Sequence, residues 1–176
     1  YGVEPLPPNS VNEKNITQIE VVGAAIKRAV AKSGSKSKYA AVAVSGSSVI
    51  TKVITVTGGL DEVTMEQQVF DEASNHIPYQ MDEVSLDFEE LGPIPNTDSV
   101  QVMIAAARTE NVEARQAALE YAGLTAKVVD VEVFAVENAF KLISSQLVLP
   151  AGGLTAIVDI GANLTTLNII KDGRSV

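Results

Sequence analysis

The sequence predicts a mixed α/β (α+β) protein, with strands and helices alternating along its 176 residues. Three observations carry that reading. Apolar residues recur at helical spacing in several stretches, short runs rich in β-branched residues lie between them, and Gly, Pro and Asn cluster at the boundaries. A hydrophobic content of 46% against 20% charged residues is the balance of a packed chain and not of a disordered one.

Taken in order, VEPLPPNSV (residues 3–11) carries three prolines and predicts an extended lead-in. From Ile16 the spacing turns helical, with Ile19, Val22, Ile26 and Val30 on one face, until SGSKSK (33–38) ends the run. YAAVAVSG (39–46) predicts a buried strand, and VITKVITV (49–56) a second one, broken by Gly58 and Gly59. Met65, Val69, Ala73 and Ile77 lie four apart and predict a helix that stops at Pro78. VSLDFE then points Val84, Leu86 and Phe88 inward and Ser85, Asp87 and Glu89 outward, as a half-exposed strand does. GPIPNTD (92–98) is a turn, and SVQVMIAAA (99–107) a more continuous apolar strand. The next helix has Thr109 as its expected N-cap, a core face of Val112, Leu119 and Ala122, and its end at Gly123. A strand over 124–133 and a helix over 134–145 follow. Two strands close the chain, with Lys171-Asp172-Gly173-Arg174 as a hairpin turn.

The totals exclude several classes. With no cysteine there is no disulfide scaffold and no thiolate metal site, and His76 is the sole histidine. No apolar run is long enough to span a membrane. The formal net charge is −9, which argues against a nucleic-acid partner. Residues 61–90 hold ten Asp and Glu and no Lys or Arg, a stretch that would face solvent or attract a basic partner. The chain begins at Tyr1 and stops straight after a turn, which reads as a segment of a longer protein.

LTAIVDIGANLTTLNII (154–170) is the stretch richest in chemistry. If its two apolar runs pair, Gly161, Ala162 and Asn163 form a tight turn whose backbone N–H groups can converge on an anion. Thr165 and Thr166 add hydroxyls, only one of which can face a given side of the sheet. Asp159, at the end of the first strand, can hold Mg²⁺ through its waters. The plainer alternative is ordinary turn chemistry, since Asp-x-Gly before a hairpin is common and threonine forms strands.

This stretch resembles the second phosphate-binding hairpin of the actin, sugar-kinase and heat-shock-chaperone superfamily. Asp159, Ile160, Gly161, Ala162 and Thr165 match its pattern. Leu164 departs from the usual Thr, Thr166 stands where many members carry Asp, and Asn163 replaces a frequent Gly. These departures weigh against hydrolysis more than against binding.

VEPLPPNSV, AAVAVSGSSVITKVI, EASNHIPY, AAARTENVEARQAALEYAGLTAKVVDVEVFAVENAF and VDIGANLTTL occur in that order. Together they resemble the PilM family, FtsA-like and actin-like cytoplasmic proteins of bacterial type IV pilus assembly and twitching motility. The resemblance covers nearly the whole chain. It implies an actin/FtsA-like, ribonuclease-H-like subdomain 1A over residues 1–48 and 131–176, with subdomain 1C inserted over 49–130. It implies a bacterial cytoplasmic location at the inner face of the inner membrane, which would be met only through partners. It implies binding of the N-terminal cytoplasmic peptide of PilN, contact with other pilus assembly proteins, and ATP with Mg²⁺ as a conformational ligand of the full-length protein. The phosphates would meet Gly161, Ala162, Asn163, Thr165 and Thr166, and the metal Asp159. The family's first phosphate hairpin and its adenosine-binding part have no counterpart here, so the 176 residues alone are expected to bind ATP weakly or not at all. A non-catalytic adaptor is the first reading, and a slow actin-type ATPase the alternative.

Other polar residues carry less. Asn75, Pro78 and Tyr79 form an irregular corner that reads as a helix stop and could also border a peptide groove. His76 there has the setting of a cap or surface histidine. Glu110 and Glu113 open a helix, where acids suit the dipole. Glu132 and Glu137 flank the expected return to subdomain 1A without a chemical pattern. An unpaired sheet edge would favour self-association.

Overall fold

The computed structural model describes residues 1–147, 152–171 and 173–175. These residues divide into two compact units, one of residues 1–46 and 114–176 and one of residues 47–113.

The first unit opens with two short strands, β1 (Val11–Asn12) and β2 (Asn15–Ile16), paired as a minimal hairpin. Sequence patterning gave only an extended lead-in here. Before the hairpin the chain lies along α1 (Ile19–Ser33), where Glu4 pairs with Arg28 at 2.5 Å and also with Lys32. A Cβ on Gly2 would sit 1.9 Å from the Ala29 carbonyl oxygen, so only glycine lets the backbone lie this close. Helix α1 ends as its glycine signal predicts, at Gly34 with φ 71°. Its buried face is Val22, Gly23 and Ala25, and Ile19, expected inward, is 38% exposed. Among the described residues, strand β3 (Tyr39–Val44) pairs only with one parallel strand, from the second segment of this unit, and of its residues only Val44 is buried.

The second unit is a three-stranded antiparallel sheet covered by one helix. β4 (Val49–Thr57), β5 (Val84–Pro93) and β6 (Ser99–Arg108) lie in the order β4-β6-β5. Helix α2 (Glu62–Ser74) packs Met65, Val69 and Ala73 onto Ile54, Val56, Val100, Val102, Ile104 and Ala106. The four-residue spacing read from the sequence is this contact, and Ile77 joins it. Asp61 caps α2 by accepting from the Thr64 amide at 3.1 Å. Ten residues long, β5 runs into the expected turn and bulges between Glu90 and Gly92.

Helix α3 (Thr109–Tyr121) follows β6 directly. Thr109 is its first residue and not a cap preceding it, and the hydroxyl meets that of Ser85 at 3.2 Å. The buried face is Arg115, Ala118 and Leu119 in place of Val112, Leu119 and Ala122. β7 (Thr125–Val131) pairs with β3, and α4 (Glu132–Ser144) begins two residues earlier than its apolar pattern predicts. Sequence reading placed the inserted span at 49–130, whereas the compact units divide at 46/47 and 113/114. β8 (Leu154–Ile160), β9 (Thr165–Lys171) and β10 (Arg174–Ser175) form the last sheet, in the order β10-β9-β8. The expected Lys171–Arg174 turn joins β9 to β10, with Gly173 at φ 79°, while Asp172 lies outside the described residues.

Candidate functional site

The site is built on the β8–β9 hairpin. Its register places Asp159 opposite Thr166 and Ile160 opposite Thr165. Cross-strand partners share a face, so Thr166, and not Thr165, lies on the Asp159 side. The loop has four residues, Gly161–Leu164, one more than the expected turn, and the Gly161 N–H closes it by donating to Leu164 O at 3.0 Å. A Cβ at Gly161 would lie 2.8 Å from that oxygen, which explains the glycine. The Gly161 amide is therefore engaged within the turn. Among the described residues the N–H groups of Ala162 and Asn163 have no partner.

Asp159, Gly161, Ala162, Asn163 and Leu164 line one side of a cavity of about 380 Å³. Thr165 and Thr166 are not among its lining residues. The other side is the N-terminal segment from Leu6 to Val11, with Glu13 and Lys14. That segment is held by its own carbonyls. Ser10 O accepts from the amides of Thr17 and Gln18 at 3.0 and 3.3 Å, and Asn9 O accepts from the Thr17 hydroxyl at 2.7 Å. Ser10, fully buried, donates its hydroxyl to Pro7 O at 2.7 Å. Asn9, Glu13 and Lys14 all have positive φ, at 61°, 48° and 66°. Such values are uncommon away from glycine and here fall together on one wall.

The lining brings two carboxylates, Glu13 and Asp159, and one ammonium, Lys14, which is paired with Glu132 at 2.7 Å. The hairpin side suits a phosphate, with small residues and two open amides. The charge of the lining does not, unless a divalent cation accompanies it. Asp159 is exposed at the cavity and fits water-mediated Mg²⁺ binding.

Most of the remaining sequence candidates have structural partners. Asn75 is the C-cap of α2, and its amide nitrogen lies 3.5 Å from Glu72. His76 lies between Glu72 at 3.2 Å and Lys52 at 3.0 Å. The Tyr79 ring stacks under the Arg108 guanidinium at 4.6 Å, and Arg108 pairs with Glu110 at 3.2 Å. Pro78 and Glu113 are not part of the cavity lining. Glu137 is buried, bonded to Lys141 and to the Ser175 amide, both at 2.6 Å. The N-terminal wall and the buried Arg115 are absent from the sequence reading. An arginine four residues before Leu119, on the helix face that also carries Ala118, was the one available signal for the second.

A mixed α/β frame with a helix-covered unit set into its chain and a glycine-turn hairpin at its last sheet defines the class of protein. The family model of the type IV pilus assembly protein PilM matches residues 1–176, and the chain belongs to that family. Among solved structures it is similar to a chain of a PilM–PilN type IV pilus biogenesis complex, with 31% identity and a TM-score of 0.79. That match covers 98% of this chain and 51% of the other. It is also similar in fold to the cytoplasmic domain of EpsL, an inner-membrane component of the type II secretion system of Vibrio cholerae. There the identity is 17%, the TM-score 0.54, and the coverage 88% of this chain and 53% of the other. The chain thus spans about half the length of the solved chains it matches. No described helix is long and apolar enough to cross a membrane.

Proposed function

We propose that this chain is the part of a type IV pilus assembly adaptor that engages the N-terminal cytoplasmic peptide of PilN, with Mg-ATP as a conformational ligand of the full-length protein. The observation that carries the reading is the likeness to a PilM–PilN complex over 98% of the chain. The adaptor would work in the bacterial cytoplasm, beneath the inner membrane, beside other pilus assembly proteins. In this reading the family's inserted subdomain 1C, expected over residues 49–130, takes in most of the compact unit of residues 47–113, and the rest of the chain belongs to an actin-like subdomain 1A. The ten acids of residues 61–90 would speed the approach of a basic partner segment.

The ATP role draws on the hairpin. Ala162 and Asn163 present open amides, Asp159 and Thr166 share a face, and the acidic lining calls for a cation with any phosphate. When bound, Mg²⁺ would offset phosphate charge. Asp159 would hold its waters, and the Gly161–Leu164 turn would orient the phosphate oxygens. Fluorescence anisotropy of a labelled PilN N-terminal peptide, titrated into this chain with and without Mg-ATP, tests the reading. Saturable binding is expected. Absence of binding by both this chain and the full-length protein would overturn it.

A further inference from the structure

Arg115 is 5% exposed, the least exposed charged side chain among the described residues. Burial pushes its guanidinium below the usual arginine range, and Glu132 works the other way. A guanidinium costs more to bury than a leucine or methionine of similar size, so packing of α3 does not account for it. Its bonds do. Nε donates to Ala43 O at 2.7 Å, and an Nη donates to Lys14 O at 2.9 Å. The first carbonyl is near the end of β3 and the second is in the β1–β2 turn. One rigid fork therefore ties two distant segments together.

The tied turn is a strained one. Glu13 and Lys14 are both left-handed, in a two-residue hairpin loop where Asn-Gly is the usual solution. Lys14 is held at both ends, its carbonyl by Arg115 and its ammonium by Glu132 at 2.7 Å. Unfavourable backbone angles persist where the surroundings over-determine them. Both turn residues line the cavity whose other side is the Gly161–Leu164 loop.

We infer that Arg115 is the positioning residue of the cavity's N-terminal wall, fixing Lys14 to the end of β3 and so setting the gap that the phosphate-type turn faces. Its meaning for ligand binding rests on the reading of that cavity as the nucleotide site, whereas the fixing of the wall does not. Hydrogen exchange of the 176-residue chain, followed by mass spectrometry in Arg115→Met and Arg115→Lys, tests it. Exchange at residues 11–17 should rise about tenfold or more in Arg115→Met, with residues 100–106 of β6 unchanged. Arg115→Lys, which keeps the charge but replaces the planar fork with a shorter, point-like ammonium, should fall between. Should Arg115→Met fail to fold, the lysine variant carries the test alone, with the same selective rise expected. Unchanged exchange at 11–17, or an equal rise in both stretches, would overturn the inference. Mg-ATP titration of the full-length wild type separates the two ideas: no affinity there with a selective rise in exchange removes the nucleotide reading and leaves the positioning role standing.

Discussion

Glu137 shows how one carboxylate can secure the site's scaffold. Burial alone would raise its pKa, but the Lys141 ammonium and the Ser175 amide outweigh burial and hold it below the ordinary 4.5. A carboxyl depressed in the folded state stabilises the fold above its unfolded pKa, and that contribution is lost as pH falls through the folded one. Glu137→Gln should therefore cost about 1–3 kcal/mol at neutral pH. Thermal melts should show the gap to wild type closing as the pH drops below 4.5, and a gap as wide at pH 3 would contradict the assignment. At the turn, Asp159→Ala in the full-length protein should weaken Mg-ATP about tenfold or more while sparing the PilN peptide, as calorimetry and anisotropy would show. Loss of both together would mean that the side chain supports the fold and not the ligand.

At the level of elements, what the sequence made legible was local. The four-residue rhythm of Met65, Val69, Ala73 and Ile77 names the buried face of α2, and alternation names the inner side of β5. The glycine turn before Leu164 was readable for the same reason, since the hairpin is closed by residues adjacent in sequence. Contacts between distant segments were not readable. Pattern alone assigned large apolar residues to the inner face of α1, yet Gly23 sits there because α3 comes close. A Cβ on Gly23 would lie 2.7 Å from Tyr121 Cβ and 2.8 Å from Ala118 O. Alanine gains at most about 1 kcal/mol of helix propensity over glycine. Overpacking costs about 1–3 kcal/mol, so Gly23→Ala should destabilise, and denaturant titration would show it. The N-terminal wall was hidden for a related reason. Its shape depends on left-handed Glu13 and Lys14, residue types that carry no turn signal. Within the second unit, Ile104 is fully buried between helix and sheet, so Ile104→Ala should cost about 2–5 kcal/mol in the same measurement.

At the scale of the molecule, β8 pairs on one side only among the described residues, and its outer face shows Leu154, Val158, Ile160 and, across the ladder, Leu167. Each is more than half exposed, at 67, 56, 80 and 61%. An open strand edge beside such a face favours pairing between copies. Light scattering of the 176-residue chain should show mass rising with concentration, and Val158→Glu should suppress it. A monomer at every concentration would refute the expectation. The parallel pairing of β3 with β7 also has a kinetic side. Residues 39–44 must find residues 125–131 across a long excursion, and closing so long a loop is slow. Once residues 47–113 have folded, Val49 and Ala107 are already cross-strand neighbours, and the remaining loop is much shorter. The saving is roughly 1 kcal/mol of closure entropy. Pulse-labelled refolding should thus find β4 and β6 amides protected before those of β3 and β7, the inserted unit acting as the splint on which its host closes.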